Sequence, residues 1–197
     1  MLNLELWARP GAIEWANGVV ANHPDYNVII QTHSYLLGNG SIQQTNGGYG
    51  STSPQYLYDN LVKLHPNIRF VFSGHVGSTN YRTDTGVNGN KIVSIVANEV
   101  SSATNAVQLV EIDTINNTAT RWFYGPINGA TFPQHDVTFT DMNFVSPSTH
   151  PAYLLDDGFN SQADGSAPAN WVLNTSGGTV TVQSVPIFSE KSMRLQK

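Results

Sequence analysis

His33 and His75 are the residues whose type and spacing best suit them to chemistry. Each closes the same phrase. One copy reads VVANHPDYNVIIQTH and the other LVKLHPNIRFVFSGH. In both, an amphipathic stretch ends on His-Pro, a short β-branched or aromatic run follows, and a histidine comes last. Ten residues separate His23 from His33, and ten separate His65 from His75. Imidazole is a common ligand for zinc, manganese, iron and nickel. A ligand at a strand end stands on a rigid base, which a metal site requires. In an open α/β sheet, ligands gather beyond the carboxyl ends of the strands. The pair therefore points to a metal or phosphate site, set against the simpler reading that each histidine caps its strand by hydrogen bonding.

The elements that must position the pair are legible around it. Leu2, Leu4 and Leu6 alternate with polar residues, a strand pattern. Pro10 suits a first helical turn, and Ile13, Ala16, Val19 and Val20 then share one helical face. Asn27–Thr32 (NVIIQT) and Ile68–Ser73 (IRFVFS) are too apolar to alternate and read as strands buried on both faces. Between them, residues 34–53 form a long polar loop expected to act as a rim or lid. Ser53-Pro54 then opens a second helix carrying Leu57, Leu61, Val62 and Leu64. Lys91–Val96, Ala106–Ile112 and Thr118–Tyr124 read as further strands, with a hairpin turn over residues 113–117. Trp7, Trp15 and Trp122 are expected in the core. A Ser/Pro-containing linker is expected over 146–152, and short apolar runs separated by Gly, Ser and Asn follow it, the texture of a β-sandwich.

Bulk composition narrows the functional classes. The 197 residues carry 14 acidic and 9 basic side chains, a net charge of −5, which argues against sequence-independent nucleic-acid binding. No basic run exists to hold a membrane surface, and no apolar run approaches the roughly 20 residues of a membrane-spanning helix. There are no cysteines, hence no disulfide and no thiolate-bound zinc. The opening LNLELW has no basic leader and reads as a strand rather than a signal peptide.

Thr32-His33 after one buried strand and Gly74-His75 after the next resemble the second half of the calcineurin-like metallophosphoesterases. The neighbouring LELWARPGAIEWAN, FSGHVGSTNYRTDTG and GNKIV resemble exported bacterial members of that family. The resemblance covers about residues 2–145. It implies a partial four-layer α/β/β/α sandwich and hydrolysis of phosphate mono- or diesters by two divalent metals, manganese, iron or zinc. It implies that His33 and His75 ligate one of these metals. It also implies backbone approach to phosphate near Gly74 and Gly77, a phosphate contact from Arg82, and an Asp84 that orients a metal-bound imidazole from behind. For Arg82 and Asp84, a solvated arginine and a turn aspartate are the alternative reading. Where the family's G-H-x-H has its second histidine, this chain has Gly77. The family's D-x-H, G-D-x-x-D and G-N-H-[DE] do not occur before His33. Ala21-Asn22-His23-Pro24-Asp25 mimics the last of these but closes a helix, so His23 reads as a helix-end histidine.

The tail, with DDGFN, GSAPANW and GGTV, resembles the opening of β-sandwich modules appended to secreted carbohydrate-active enzymes, with Trp171 as a candidate sugar-stacking ring. The expectation is therefore α/β, with part of a phosphoesterase domain over 1–145, a linker over 146–152 and part of a β-sandwich module over 153–197. The resemblance implies a secreted or periplasmic bacterial protein, a small phosphate ester as substrate, and polysaccharide as a partner of the tail. As an isolated chain it is expected to be inactive and to hold one metal weakly at most. The alternative is a non-catalytic secreted carbohydrate- or surface-binding protein.

Overall fold

Two parallel strands, β2 (Val28–Gln31) and β3 (Ile68–Ser73), lie side by side at the middle of a five-stranded sheet. This is a computed structural model, which describes residues 1–48, 50–99, 101, 103–145, 162–169, 179–185 and 190–196. The chain divides into two compact units, Met1–Pro147 and Ser148–Lys197.

In the first unit the sheet order is β1 (Leu2–Asn3), β2, β3, β5 (Lys91–Val96) and β4 (Asn80–Thr85). Only β4, at one edge, runs antiparallel to its neighbour. Helix α1 (Pro10–Ala21) and helix α2 (Pro54–Leu57, continued by a π-turn through Val62) cover one face. Pro10 stands in the first turn of α1, where its missing N–H has no helical partner to lose. Ser53 caps α2 by accepting from the Tyr56 N–H. The helices bury Ile13, Ala16, Val20, Leu57 and Leu61 against Ile30, Ile68, Val71 and Ile92 of the sheet.

The other face of the sheet meets a second, antiparallel sheet. Its strands are β6 (Val107–Asp113), β7 (Thr118–Gly125), β8 (Ala130–Thr131) and β9 (Val137–Phe139), with β7 pairing all three others. Phe70, Val93 and Ile95 from the first sheet pack on Ala119, Phe139, Met142 and Phe144. Residues 68–73 are apolar on both sides because they are covered on both sides: Ile68 and Val71 serve the helix layer, and Phe70 serves the second sheet. The protein is mixed α/β, with strand outweighing helix (33 % against 15 %).

Several expectations change in the folded chain. The strand expected over Leu2–Leu6 stops at Asn3, with one more bond from the Leu4 N–H to the Gln31 carbonyl, and the chain then passes through Trp7, at a left-handed φ of +49°, into α1. Trp7 is buried, Trp122 is half-buried, and Trp15 is not a core residue: it lies 57 % exposed on the outer face of α1. Loop 34–53 is packed rather than lid-like. It buries Tyr35, Leu36 and Ile42, forms a Leu36–Ile42 bridge, and presses Gly47 and Gly50 onto the Trp7 ring. Residues 80–85, given no element by sequence, form β4, so Asp84 lies in a strand rather than a turn.

In the second unit, β10 (Thr179–Val185) and β11 (Glu190–Gln196) pair antiparallel in register from Thr179↔Gln196 to Val185↔Glu190. The segment at Gly165 and Ser166 bonds to Val182 on both sides of its peptide. Trp171, the linker 146–152 and the 153–161 opening of the expected sandwich lie outside the described residues.

Both His-Pro histidines precede their strands, and both are bonded within the fold. His23 Nδ1 lies 2.7 Å from the Val19 carbonyl, and His65 Nε2 lies 2.7 Å from Asn17 Oδ1. Burial holds the His65 pKa below its ordinary 6.5. The unfolded chain then binds this proton more readily than the folded one, so stability is fullest above pH 6.5 and is lost as the pH falls below it. Urea unfolding of wild type and His65→Gln from pH 7.5 to 5 is expected to show a steeper acid-side loss for wild type. Phe70→Ala, which empties a fully buried site between the sheets, is expected to cost about 3–5 kcal/mol in the same measurement.

Candidate functional site

The pairing of β2 with β3 continues beyond the strands. The Thr32 N–H donates to the Phe72 carbonyl at 3.1 Å, and the Gly74 N–H donates to the His33 carbonyl at 3.0 Å. β5 keeps pace, the Ala97 N–H donating to the Ser73 carbonyl at 3.1 Å. His33 therefore stands opposite Gly74 at the carboxyl edge of the sheet. His75 comes one residue later, with a left-handed φ of +72°. The Val76 N–H returns to the Gly74 carbonyl at 2.9 Å, so His75 is the middle residue of a three-residue γ-turn. With positive φ that turn is rare and strained, at an order of about 1–3 kcal/mol.

The turn brings the two imidazoles together. His33 Nε2 lies 2.9 Å from His75 Nδ1, with ring centroids 4.9 Å apart and planes at 70°. If both rings are neutral, one nitrogen donates and the other accepts. The same two nitrogens can instead turn lone pairs on one cation, since two imidazoles on a tetrahedral zinc stand about 3.3 Å apart for bonds near 2.0 Å. The donor set suits a divalent cation in type, stands closer at 2.9 Å than a zinc pair would, and supplies two ligands where typical sites use three or four. Among the described residues, no group of three or more His, Cys, Asp or Glu side chains is placed to hold a metal ion.

A cleft of about 550 Å³ opens beside His33, and Asn3, Gln31, Thr32, Ser73 and Gln108 help to line it. Its polar walls are amides and hydroxyls. Gln108 comes from β6 of the second sheet and was not singled out from sequence, where it reads like any polar residue of an alternating strand. Glu99 and His135 also went unremarked. They form an ion-pair contact of 2.9 Å between the segment after β5 and the turn before β9.

The remaining candidate residues fall differently. The Gly74 N–H is engaged by the His33 carbonyl and is not free for a phosphate oxygen. At Gly77 an added Cβ meets nothing within 4 Å, so a side chain has room there. Arg82 and Asp84 are joined to each other, Arg82 Nε to Asp84 Oδ2 at 2.7 Å with a second bond from Nη2. Asp84 raises the Arg82 pKa, and Asp84 itself lies opposite Ile92, near the start of β5 and away from the carboxyl edge where the histidines meet. Arg82, expected to contact phosphate, and Asp84, expected to orient an imidazole, thus form an ion pair with each other along β4. That pair lies near Tyr35, whose phenol is fully buried and has its pKa pushed well up, mainly by desolvation.

No family model matches the chain. A curated protein of Bacillus subtilis (strain 168), the uncharacterized protein YvnB, is 35 % identical to it over 72 residues. The match takes in 36 % of this chain and 5 % of the Bacillus protein, so the chain spans a small part of that relative's length. Among the described residues, no helix is long and apolar enough to cross a membrane.

The left-handed φ of His75 gives the site a stability signature. His75→Gly removes the strain but adds unfolded-chain entropy, so the folded state is expected to be unchanged or up to about 1 kcal/mol more stable. Urea unfolding measures this, and a loss above 1 kcal/mol would show that the imidazole contact outweighs the strain.

Proposed function

We propose that residues 1–145 belong to a metal-dependent phosphoesterase of the calcineurin-like kind, and that His33 and His75 hold one divalent cation, manganese, iron or zinc, at the carboxyl edge of the first sheet. The observation that carries this reading is the 2.9 Å approach of two ring nitrogens from two parallel strand ends. One helix layer and two packed sheets in the first unit are consistent with three layers of the four that such a sandwich has. When loaded, a dinuclear centre supplies Lewis-acid neutralisation of phosphoryl charge during transfer to water. His33 and His75 would fix the position of one cation, and the open backbone at Gly77 leaves room for a phosphate ester to approach. The remaining ligands, a bridging carboxylate among them, would come from outside the described residues. Under this reading the protein is exported, its substrate is a small phosphate mono- or diester, and the second unit is the beginning of a β-sandwich module that meets polysaccharide.

A non-catalytic secreted binding protein is the second reading. Gly77 favours it, since a glycine stands where the family motif has its other imidazole.

Calorimetric titration with zinc and manganese separates the outcomes. Wild type is expected to bind zinc weakly, and His33→Ala and His75→Ala to abolish binding. Gly77→His, placed where a side chain meets no neighbour, is expected to tighten binding about tenfold, or roughly 1.4 kcal/mol. Zinc binding that survives removal of both His33 and His75 would sink the proposal. The chain is expected not to hydrolyse an aryl phosphate. Manganese- or zinc-dependent turnover abolished by His75→Ala would show that it carries a complete centre.

A further inference from the structure

The strained turn at His75 needs something to hold it, and the structure identifies the holder. We infer that Asn98 is the positioning residue of the histidine pair: its side-chain amide, at the end of β5, fixes the turn that aims His75 at His33. Asn98 Nδ2 donates to the Val76 carbonyl at 2.7 Å. The same residue's backbone N–H donates to Thr79 Oγ1 at 3.1 Å. One residue thus grips the 74–79 loop at two points, from the segment that follows β5.

The rest of the loop is tied elsewhere. Its start belongs to the β2–β3 ladder through Gly74. Its end is clasped to loop 34–53, where the Gly38 carbonyl accepts from Ser78 Oγ at 3.2 Å and Asn80 Nδ2 at 3.1 Å. Gly38 lies so close that an added Cβ would stand 3.1 Å from Ser78 Cβ. Between those ends lies the left-handed residue. One residue further on, the Val76 carbonyl is shared by the Ser78 N–H at 2.8 Å and by Asn98. A positive-φ histidine persists only where its surroundings over-determine it. The amide of Asn98 is a side-chain contact on the Val76–Gly77 peptide, one unit beyond the peptide that follows His75, and it braces the exit of the γ-turn from the β5 side. An amide suits the task because it donates while remaining uncharged beside a cation site.

The consequence for metal binding rests on the reading proposed above, while the consequence for the imidazoles does not. The test therefore reads both. Long-range ¹H–¹⁵N correlation spectra of the metal-free chain above pH 7.5 report the tautomers of His33 and His75, and a zinc titration reports affinity. In wild type each ring is expected to hold a single tautomer, one donating and one accepting. In Asn98→Leu, of similar volume without a donor, and in Asn98→Ala, both rings are expected to average. Zinc affinity is expected to fall about tenfold, as for other residues that orient ligands. Either folded variant with wild-type tautomers and affinity overturns the proposal. If wild type binds no zinc, the metal reading fails, and the tautomers still decide the role of Asn98. Wild type supplies an independent check: one Asn98 side-chain amide proton is expected to exchange slowly with solvent. Open-water exchange of both protons would overturn the proposal even if no variant folded.

Discussion

The site depends on the parallel register of β2 and β3. Val28 pairs with Ile68 and Ile29 with Phe70, so the register shifts by one residue at the start of the pair. From there it runs regularly to Gln31 opposite Phe72, and the ladder extends to His33 opposite Gly74. Successive residues of an extended strand point to opposite faces. Continued regularly, the residue after Gly74 would turn its side chain away from that of His33. The left-handed turn at His75 replaces that continuation and lets the two rings meet. The bulge at the beginning of the strand pair and the strain at its end are two consequences of one register.

Burial on both faces makes that register hard to change. A slip of one residue would exchange Phe70, which packs on the second sheet, with Val71, which packs on the helices. Both layers would then meet side chains of the wrong size. The same double burial explains the absence of charge from most of the strand, and it sets apart the exception. Arg69 is almost wholly buried, bonds through Nε to Asn27, and is held below its ordinary pKa by desolvation. Asn27 in turn exchanges hydrogen bonds with both backbone groups of Val145, tying the end of the first unit to the start of β2. Arg121, between the sheets, is treated similarly: its guanidinium lies over the Tyr81 and Phe123 rings and donates to the His135 carbonyl.

The repeated phrase gives its histidines two different tasks. His23 and His65 lie before the strands, and each satisfies a nearby carbonyl or amide oxygen. His33 and His75 lie after the strands, where the parallel arrangement gathers them at one edge. The difference lies in direction: histidines at the two ends of two parallel strands meet helix ends on one side and an open edge on the other. The proposed phosphoesterase reading rests on that edge, and so does the role inferred for Asn98.

The sequence by itself determined the two helix-to-strand units, the burial of β3 on both faces and the histidine at the end of each; β2, expected to be equally buried, is buried at Ile30 and exposed at Gln31. These follow from local pattern: apolar periodicity, Pro10 and Ser53 at helix starts, and β-branched runs between turn residues. It also determined the hairpin at 113–117, because an aspartate there bonds its own following N–H groups. The tertiary structure alone decided the rest. β4 escaped notice because an edge strand exposed on alternate residues is mostly polar, and Arg82 and Asp84 became partners only once both lay two apart along it. Trp15 is the exception: the spacing of Ile13, Ala16 and Val20 already leaves residue 15 on the outer side of α1, so its exposure was legible in the sequence. The 2.9 Å meeting of His33 with His75 depended on register, bulge and backbone handedness. These are relations between segments about forty residues apart, and no local pattern encodes them.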